Sequence, residues 1–306
     1  MLAYIARRLT VLLPTVLGVL ILTFVVLRVI PGDPVSLMVG EGATPEYAAR
    51  MRHELGLDQP IYVQFARFAS AALRLDLGRS LNSNDPVTEE IFGRYPHTLE
   101  LVAAASVFAV VTGATAGTLS AIRSGTVTES LVMIVALVGL CTPHFWLGLM
   151  LMVLFAINLN WFPVAGAGTP MQLVLPAVTL GTSFLGIMAR QTRSAVLDVL
   201  AEDYVRTARA KGLAEWAVVI RHALRNALIP VVTVMGLQVG RLLGGSVVTE
   251  VVFNRQGLGR LVVGAVGNRD YPVVQGVVFF VALTVLLINL AVDVSYGLIN
   301  PRVRYT

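Results

Sequence analysis

The sequence predicts an all-α integral membrane protein with about six transmembrane helices. Its composition is the first reason: 56% of the 306 residues are hydrophobic, only 13% are charged, and the mean hydropathy is +0.77. A soluble domain carries about 25% charged residues, so this chain has too few to cover an aqueous surface. The other two reasons are that the apolar residues fall into six runs and that Lys and Arg residues are concentrated in every second segment between these runs.

Each of the six runs has about the length of a membrane span. A helix needs about 20 residues to cross roughly 30 Å of hydrocarbon. The predicted spans cover about residues 9–30, 97–122, 130–157, 172–189, 228–250 and 273–297. The first run is longer than the roughly 7–15-residue core of a signal peptide, and Ile30–Pro34 offers no small-x-small cleavage site, so we interpret it as a retained span.

The basic residues indicate that both termini are cytoplasmic. With the N-terminus inside, the inner segments hold twelve Lys and Arg residues, whereas the short outer loops hold only Arg255, Arg260 and Arg269. Positive charge collects on the cytoplasmic side of membrane proteins. The twelve are Arg7, Arg8, Arg123, Arg190, Arg193, Arg206, Arg209, Lys211, Arg221, Arg225, Arg302 and Arg304.

Two long segments lie outside the spans. Residues 31–96 form an extracytoplasmic loop, in which Gln59–Leu77 has the pattern of an amphipathic helix between two turns. Residues 190–227 form a basic cytoplasmic loop. A loop of that length in a compact protein usually folds or docks onto something.

Several functional classes are excluded. The net charge of +5 comes from scattered residues without interleaved aromatic side chains, which argues against nucleic-acid binding. Cys141 is the only cysteine, and the four histidines are scattered, so we expect no disulfide and no protein-built metal site. No GxxxxGK[ST] phosphate loop is present, so the chain is not an ATP-hydrolysing enzyme.

A short helix is predicted in the cytoplasmic loop. Asp203 suits a helix N-terminus, Lys211 suits its C-terminal end, and Gly212 is placed to stop it. Ala208, Ala210 and Gly212 are small and would let a partner's backbone approach closely. These features fit docking into a groove of a soluble protein; the alternative is a solvated connector with ordinary caps. Glu215 lies beyond the helix, and we expect Glu215→Ala to have almost no effect on docking.

The loop and its surroundings resemble the permeases of bacterial ABC importers, in particular the dipeptide, oligopeptide and nickel group. The resemblance covers nearly the whole chain in the expected order. The sequence departs from the family pattern at three places. Arg206–Ala208 stand where the wider superfamily has Glu-Ala-Ala, Arg225 stands where the superfamily has Pro, and Asn300 stands where the group usually has Asp. The matching pieces are Tyr4–Arg8, Pro31–Pro34, Leu55–Pro60, Asp76–Ser80, Pro143–Gly148, Asp203–Leu213, Arg221–Pro230, Gly244–Glu250, Gly257–Gly259, Arg269–Pro272 and Pro301–Arg304.

The resemblance implies a type I importer permease fold in a bacterial plasma membrane and a set of partners. These are a second homologous permease subunit, two ATPase subunits or one fused ATPase, and an extracytoplasmic solute-binding protein. No cofactor is expected on this chain, because ATP and Mg²⁺ would be bound by the ATPases. The implied solute is a small peptide, with nickel chelates, glutathione and haem as alternatives. The implied ATPase-docking residues are Asp203, Tyr204, Ala208, Ala210, Lys211, Gly212 and Leu213.

Polar residues inside the spans are candidates for lining a solute pathway, because ionisable groups rarely face lipid. Arg241 lies midway along the fifth span, and its alternative role is an ion pair between helices that only positions them. Glu250 lies near the outer end of the same span. His144 follows Pro143 in the third span, and its alternative role is to bond a carbonyl freed by the proline. Gly236, Gly240 and Gly244 recur at every fourth residue and predict a helix or subunit interface.

Two other classes stay open at this point. A secondary transporter working alone would need acidic residues mid-membrane and two repeated halves, and neither is evident. A purely structural membrane subunit would leave the small-residue cytoplasmic helix unexplained.

The predicted topology can be tested by cysteine labelling. Cysteines placed at Ser83 and Thr169 should react with an impermeant reagent added to intact cells, and one at Ala214 should not. The unmodified chain, whose Cys141 lies in an apolar run, is the blank. Labelling of Ala214→Cys from outside, or failure of both outer sites, would contradict the topology.

Overall fold

The computed structural model describes residues 2–29, 46, 49–50, 53 and 58–299. In this part of the chain the regular structure is helical, and the single β-bridge joins Arg79 to Pro86. The all-α class is therefore confirmed. The helices are α1 (Leu2–Val29), α2 (Ile61–Leu73), α3 (Val87–Ile122), α4 (Val127–Cys141), α5 (His144–Leu151), a π-helical turn (Met152–Asn158), α6 (Pro170–Leu200), α7 (Asp203–Ala210), α8 (Glu215–Ala217), a second π-helical turn (Val218–Leu224), α9 (Arg225–Val252), α10 (Leu258–Gly267) and α11 (Tyr271–Ile299).

Four of the six predicted spans contain helices, or a bent pair of helices, that are long and apolar enough to cross a membrane. By length and composition, α3, α6 and the Tyr271–Val292 part of α11 can each cross a membrane, and α4 with α5 and its π-helical turn makes a fourth candidate. The first predicted span contains the shorter apolar stretch Leu12–Val25. The fifth is the continuous helix α9. The motifs predicted at 31–34, 55–57 and 301–304, together with Asn300, lie outside the described residues.

Helices α3 and α6 extend furthest beyond their predicted ends. Helix α3 begins at Val87, ten residues before the predicted second span, and runs through Pro96. Its start follows Pro86, and Glu89 and Glu90 in its first turn suit the positive end of the helix dipole. Helix α6 continues past Ala189 to Leu200, so the first part of the predicted cytoplasmic loop is a helical extension of the fourth span.

The third predicted span is not one helix. Helices α4 and α5 meet at Thr142 and Pro143, and the chain bends there by 105°. Both residues have extended backbone conformations, with ψ of 127° and 132°. A proline has no N–H to donate and disfavours a helical conformation in the residue before it, so the helix stops rather than kinks. At 1.5 Å per residue α4 is about 22 Å long, too short to cross alone.

The chain divides into two compact units. The first takes in the described residues up to Pro96 together with Gly257–Leu290. One of its cores joins α1, α2 and α11 through Leu20, Ala72 and Phe279. The other gathers residues of α3, α10 and α11, namely Val87, Ile91, Leu258, Leu261, Ala265, Val273, Val277 and Phe280.

A buried carboxylate joins two distant pieces of the first unit. Asp270 is 2% exposed, and its carboxylate accepts a hydrogen bond of 2.5 Å from the Ser80 hydroxyl and one of 3.2 Å from the Asn82 amide. It also accepts from the backbone N–H of Val273 at the start of α11. The motifs Asp76–Ser80 and Arg269–Pro272, far apart in sequence, are therefore one structural element.

The second unit, His97–Gln256 with the described residues from Ala291, is built around α6. The most apolar 18-residue window of α6 is 56% buried, compared with 28% for that of α3. Glycines let the neighbouring helices approach its backbone. A Cβ built at Gly117 of α3 would lie 2.3 Å from the carbonyl oxygen of Ala189, and one at Gly186 would lie 2.5 Å from that of Ala136 on α4. An ion pair between Arg193 and Glu129 also joins α6 to α4.

Glycine substitutions in α3 test this close packing. Gly117→Ala should lower the unfolding temperature of the solubilised protein, because overpacking typically costs about 1–3 kcal/mol. Gly93→Ala in the same helix is the matched control. A Cβ at Gly93 meets nothing within 4 Å, so this change should be neutral or stabilising by about 0.5–1 kcal/mol. Equal unfolding temperatures for the two variants would contradict the packing described.

Candidate functional site

The short cytoplasmic helix forms where the sequence predicts it. Helix α7 follows Glu202, which is extended, and ends at Ala210. Gly212 has a φ of +77°, the left-handed conformation that favours glycine at a helix end. A Cβ at Gly212 would meet nothing within 4 Å, so the cost of adding a Cβ there comes from the backbone conformation rather than from a clash.

One side of α7 is fixed to the rest of the unit. Val205 and Ala208 are buried in a cluster with Val218, against which Val199 and Leu200 at the end of α6 also pack. The prediction that Ala208 is offered to a partner is therefore wrong. The small residue is needed because α7 lies close against the chain's own helices.

The other side of α7 and the turn after it are exposed. Asp203, Tyr204, Ala210, Lys211 and Gly212 all reach solvent, and the Tyr204 hydroxyl accepts a 2.8 Å hydrogen bond from the Asn226 amide. These positions remain accessible for docking.

An apolar surface adjoins this exposed side, and the sequence analysis missed most of it. Leu213, Trp216 and Ile220 are 43%, 71% and 59% exposed; we call them the cytoplasmic apolar patch. Trp216, a large aromatic side chain in a basic loop outside the predicted spans, was the available signal. The patch was missed because Val218, Val219 and Ala223 in the same segment are buried, and only the three-dimensional structure separates the two sets.

A bidentate ion pair closes the turn around Gly212. The Arg209 guanidinium donates to both carboxylate oxygens of Glu215, at 2.7 and 3.2 Å. The hydrogen bond from Arg209 lowers the pKa of the Glu215 carboxyl, and the same bond raises the pKa of Arg209. Glu215 therefore helps to hold the turn closed.

Arg241 is exposed on α9, and no hydrogen bond or ion pair joins it to another residue that the structure describes. The interhelical ion pair considered as its alternative role is not found among these residues. Gly236 lies against Val292 of α11, where a Cβ would approach the valine methyl carbons to 2.5 Å. Gly244 meets nothing within 4 Å and faces open space, and Gly240 is half-buried between them.

Glu250 lies inside the second unit rather than on a surface. Its side chain is fully buried and accepts a 2.7 Å hydrogen bond from the Thr98 hydroxyl of α3. Arg255, expected in an exposed outer loop, is also buried; it donates to Glu100 at 2.7 Å and to the His97 carbonyl at 3.1 Å. These contacts join α9 and the turn after it to α3, so a structural role fits Glu250 better than a place in a pathway.

His144 is the first residue of α5, directly after the break at Pro143. Its ring nitrogen Nδ1 is hydrogen-bonded to the Ser183 hydroxyl of α6. The side chain thus joins the short helix to the central one. His144 therefore bonds the Ser183 hydroxyl and not, as its alternative role required, a backbone carbonyl freed by Pro143.

Comparison with known proteins decides the family. The family described as "Binding-protein-dependent transport system inner membrane component" matches residues 113–305, and the related N-terminal family matches residues 1–102. The chain belongs to this family. It is a permease subunit of an ABC importer, a multi-pass protein of the bacterial inner membrane and not itself an enzyme.

The permease is similar to curated relatives over its full length. It is 46% identical to the di/tripeptide transport system permease protein DppB of Pseudomonas aeruginosa, and the match covers 100% of this chain and 99% of the relative. It is 48% identical to the glutathione transport system permease protein GsiC of Salmonella paratyphi A, with 100% of both covered. It is 43% identical to the dipeptide transport system permease protein DppB of Escherichia coli, with 100% and 99% covered.

A solved structure has the same fold. The inward-facing MetNI methionine ABC transporter matches with a TM-score of 0.56 at 21% identity, covering 67% of this chain and 93% of that one. The predicted type I importer permease fold is therefore confirmed. Membership of the family also brings ATPase and solute-binding-protein partners.

The ion pair in the turn predicts a pH dependence. Because the pKa of Glu215 is lowered below 4.5, the pair stabilises the turn at neutral pH and is lost as pH falls through that lowered value. Glu215→Gln should reduce the local opening free energy of residues 209–217 at pH 7 by about 0.2–1 kcal/mol, since both side chains are about half exposed. Hydrogen–deuterium exchange of the assembled complex measures this difference.

The difference between the wild type and Glu215→Gln should disappear at acidic pH, because Glu215 is then protonated in the wild type as well. Equal exchange at pH 7, or a difference that grows as the pH falls, would contradict the assignment.

Proposed function

We propose that this permease forms one half of the translocation pathway of an ATP-driven importer of small peptides. Full-length relatives named for dipeptides and di/tripeptides support this solute class. Glutathione, itself a tripeptide, is a second candidate, because relatives named for it are as similar in sequence. Nickel chelates and haem are not favoured by any relative compared above.

The proposed complex has a defined set of subunits. A second homologous permease completes the pathway, two ATPase subunits or one fused ATPase bind ATP and Mg²⁺, and an extracytoplasmic solute-binding protein delivers the peptide. In this arrangement the ATPases act on α7, and closure of the nucleotide sites moves α7 as a rigid body to switch the spans between inward- and outward-open states.

The observation that carries the proposal is the exposed surface on and after α7. It contains Tyr204 and the cytoplasmic apolar patch, all more than two-fifths exposed. Trp216 lies twelve residues before Leu228, the predicted inner end of the fifth span. Along a helix that is about 18 Å, beyond the roughly 5–8 Å of the headgroup layer, so lipid does not cover this patch.

A soluble partner is the occupant that fits. Exposed Arg206, Arg209, Lys211 and Arg221 flank the residues of the apolar patch along the chain and favour a partner with an acidic rim. We therefore assign the cytoplasmic apolar patch, together with Ala210–Leu213, to the ATPase contact, and we remove Ala208 from it.

Substitution of Gly212 tests this docking surface. Gly212→Trp should insert and fold normally, because a Cβ there meets nothing within 4 Å and the left-handed backbone costs only about 1 kcal/mol. A bulky side chain would clash with a docked ATPase. Purified complexes should therefore lose their ATPase chains, or hydrolyse ATP without transport.

Two variants separate docking from backbone strain. Gly212→Ala carries the same strain without the bulk and should keep near-normal coupling. Gly125→Trp places the same bulk at another open glycine, with a φ of +80°, in the turn between α3 and α4, and should retain its ATPases. If Gly212→Trp co-purifies with ATPases and transports at wild-type levels, this surface is only a connector.

Arg241 provides a separate test of the pathway. A guanidinium in lipid costs at least about 2.5–3.5 kcal/mol, so we propose that Arg241 faces the second permease across the pathway. Arg241→Ala should assemble yet lose peptide transport, and Arg241→Lys should restore part of it, because the charge is retained. Collapse of assembly in both variants, measured by subunit co-purification, would identify a structural residue instead.

A further inference from the structure

A cavity in the second unit lies between α4 and α6 and has one charged residue in its wall. Its volume is about 260 Å³. It is lined by residues of both helices, namely Met133, Ile134, Ala136, Leu137 and Leu140 of α4 and Gly186 and Arg190 of α6. Apart from Arg190, every lining residue is apolar. A site of this composition suits a long hydrocarbon chain whose polar end is anionic.

The close packing of the two helices produces the groove. Gly186 lets the α6 backbone lie directly against Ala136 of α4. Because Gly186 has no side chain, it does not fill the groove next to this contact. The residues on the outward side of α4, including Ile134, Leu137 and Val138, are more than half exposed. The groove therefore opens toward whatever surrounds the helix pair.

No described residue neutralises the charge of Arg190. Arg193, one turn further along α6, is paired with Glu129. Arg190 is exposed and forms no hydrogen bond or ion pair with a residue in the described ranges. Two neighbouring arginines thus differ: one joins α6 to α4, and the other leaves its guanidinium available at the cavity.

The depth of the site matches an inner-leaflet headgroup. Arg190 directly follows Ala189, the predicted inner end of the fourth span. Glu129 of α4 is paired with Arg193 of α6 on the cytoplasmic side of Arg190, and Ala136 of α4 lies against Gly186 of α6 on its other side. The apolar lining therefore extends from Arg190 into the membrane interior, as an acyl chain does below its phosphate.

We propose that the groove between α4 and α6 binds an anionic phospholipid of the cytoplasmic leaflet, with its phosphate on Arg190 and an acyl chain along Met133, Leu137 and Leu140. Basic pockets between transmembrane helices on this side recognise anionic headgroups. The proposal does not depend on the solute, because the site involves neither Arg241 nor the cytoplasmic apolar patch.

The test is lipid retention by the assembled importer. The purified complex is exchanged into mixed micelles containing equal amounts of phosphatidylglycerol and phosphatidylcholine, and retained lipids are counted by native mass spectrometry. The wild type should retain phosphatidylglycerol preferentially, and Arg190→Gln should reduce this preference about fivefold, the value of one basic residue near a lipid surface. Leu137→Trp, which fills the groove, should reduce retention without removing charge.

Arg123→Gln is the matched control. Arg123 is exposed in the turn between α3 and α4 on the same side and does not line the groove, so its removal should leave retention unchanged. Equal phosphatidylglycerol retention by the wild type and Arg190→Gln would overturn the proposal. So would efficient cross-linking of Leu137→Cys to the second permease subunit, because a protein helix would then cover the groove.

Discussion

The close contact between the backbone of α6 and its neighbours determines much of the second unit. Gly117 lies against Ala189, and Gly186 lies against Ala136, at separations where any added side chain would overlap a carbonyl oxygen. In lipid, helices gain little from hydrophobic burial against one another, so close van der Waals packing and polar contacts must hold them together. Small residues permit that packing, and the Arg193–Glu129 and His144–Ser183 contacts supplement it.

This arrangement has a consequence for coupling. Helix α6 is packed in the second unit and continues without a break to Leu200, where Val199 and Leu200 pack against Val205 and Ala208 of α7. The short cytoplasmic helix is therefore attached by its buried side to the central span, while its other side is exposed. A force applied to the exposed side passes through a packed cluster to α6, and the bidentate Arg209–Glu215 pair keeps the intervening turn closed. The fold thus connects the proposed docking surface to a transmembrane helix through packed side chains.

Much of this could be predicted from the sequence, because hydrophobic runs and end signals are local. The apolar runs, the short helix at Asp203 and its end near Gly212 all depend on neighbouring residues. The extent of α3 could not be predicted, since Pro96 suggested a boundary and the helix runs through it. The 105° bend at Pro143 was underestimated because a proline in a span can either kink or end a helix. The burial of Glu250 and Arg255 depends on residues of α3 that are far away in sequence, which no local pattern reveals. Ala208 is buried by closer neighbours, but its burial depends on how α7 folds back against the end of α6 and the second π-helical turn.

The most direct test of the account is transport by the reconstituted complex. The permease, its partner permease and the ATPases would be placed in liposomes, and uptake of a radiolabelled dipeptide would be measured with the solute-binding protein present. We predict accumulation that requires ATP on the ATPase side and the binding protein on the other, and that unlabelled di- and tripeptides compete with the labelled peptide. Accumulation by the permease without ATPases, driven by an ion gradient, would contradict the account and identify a secondary transporter.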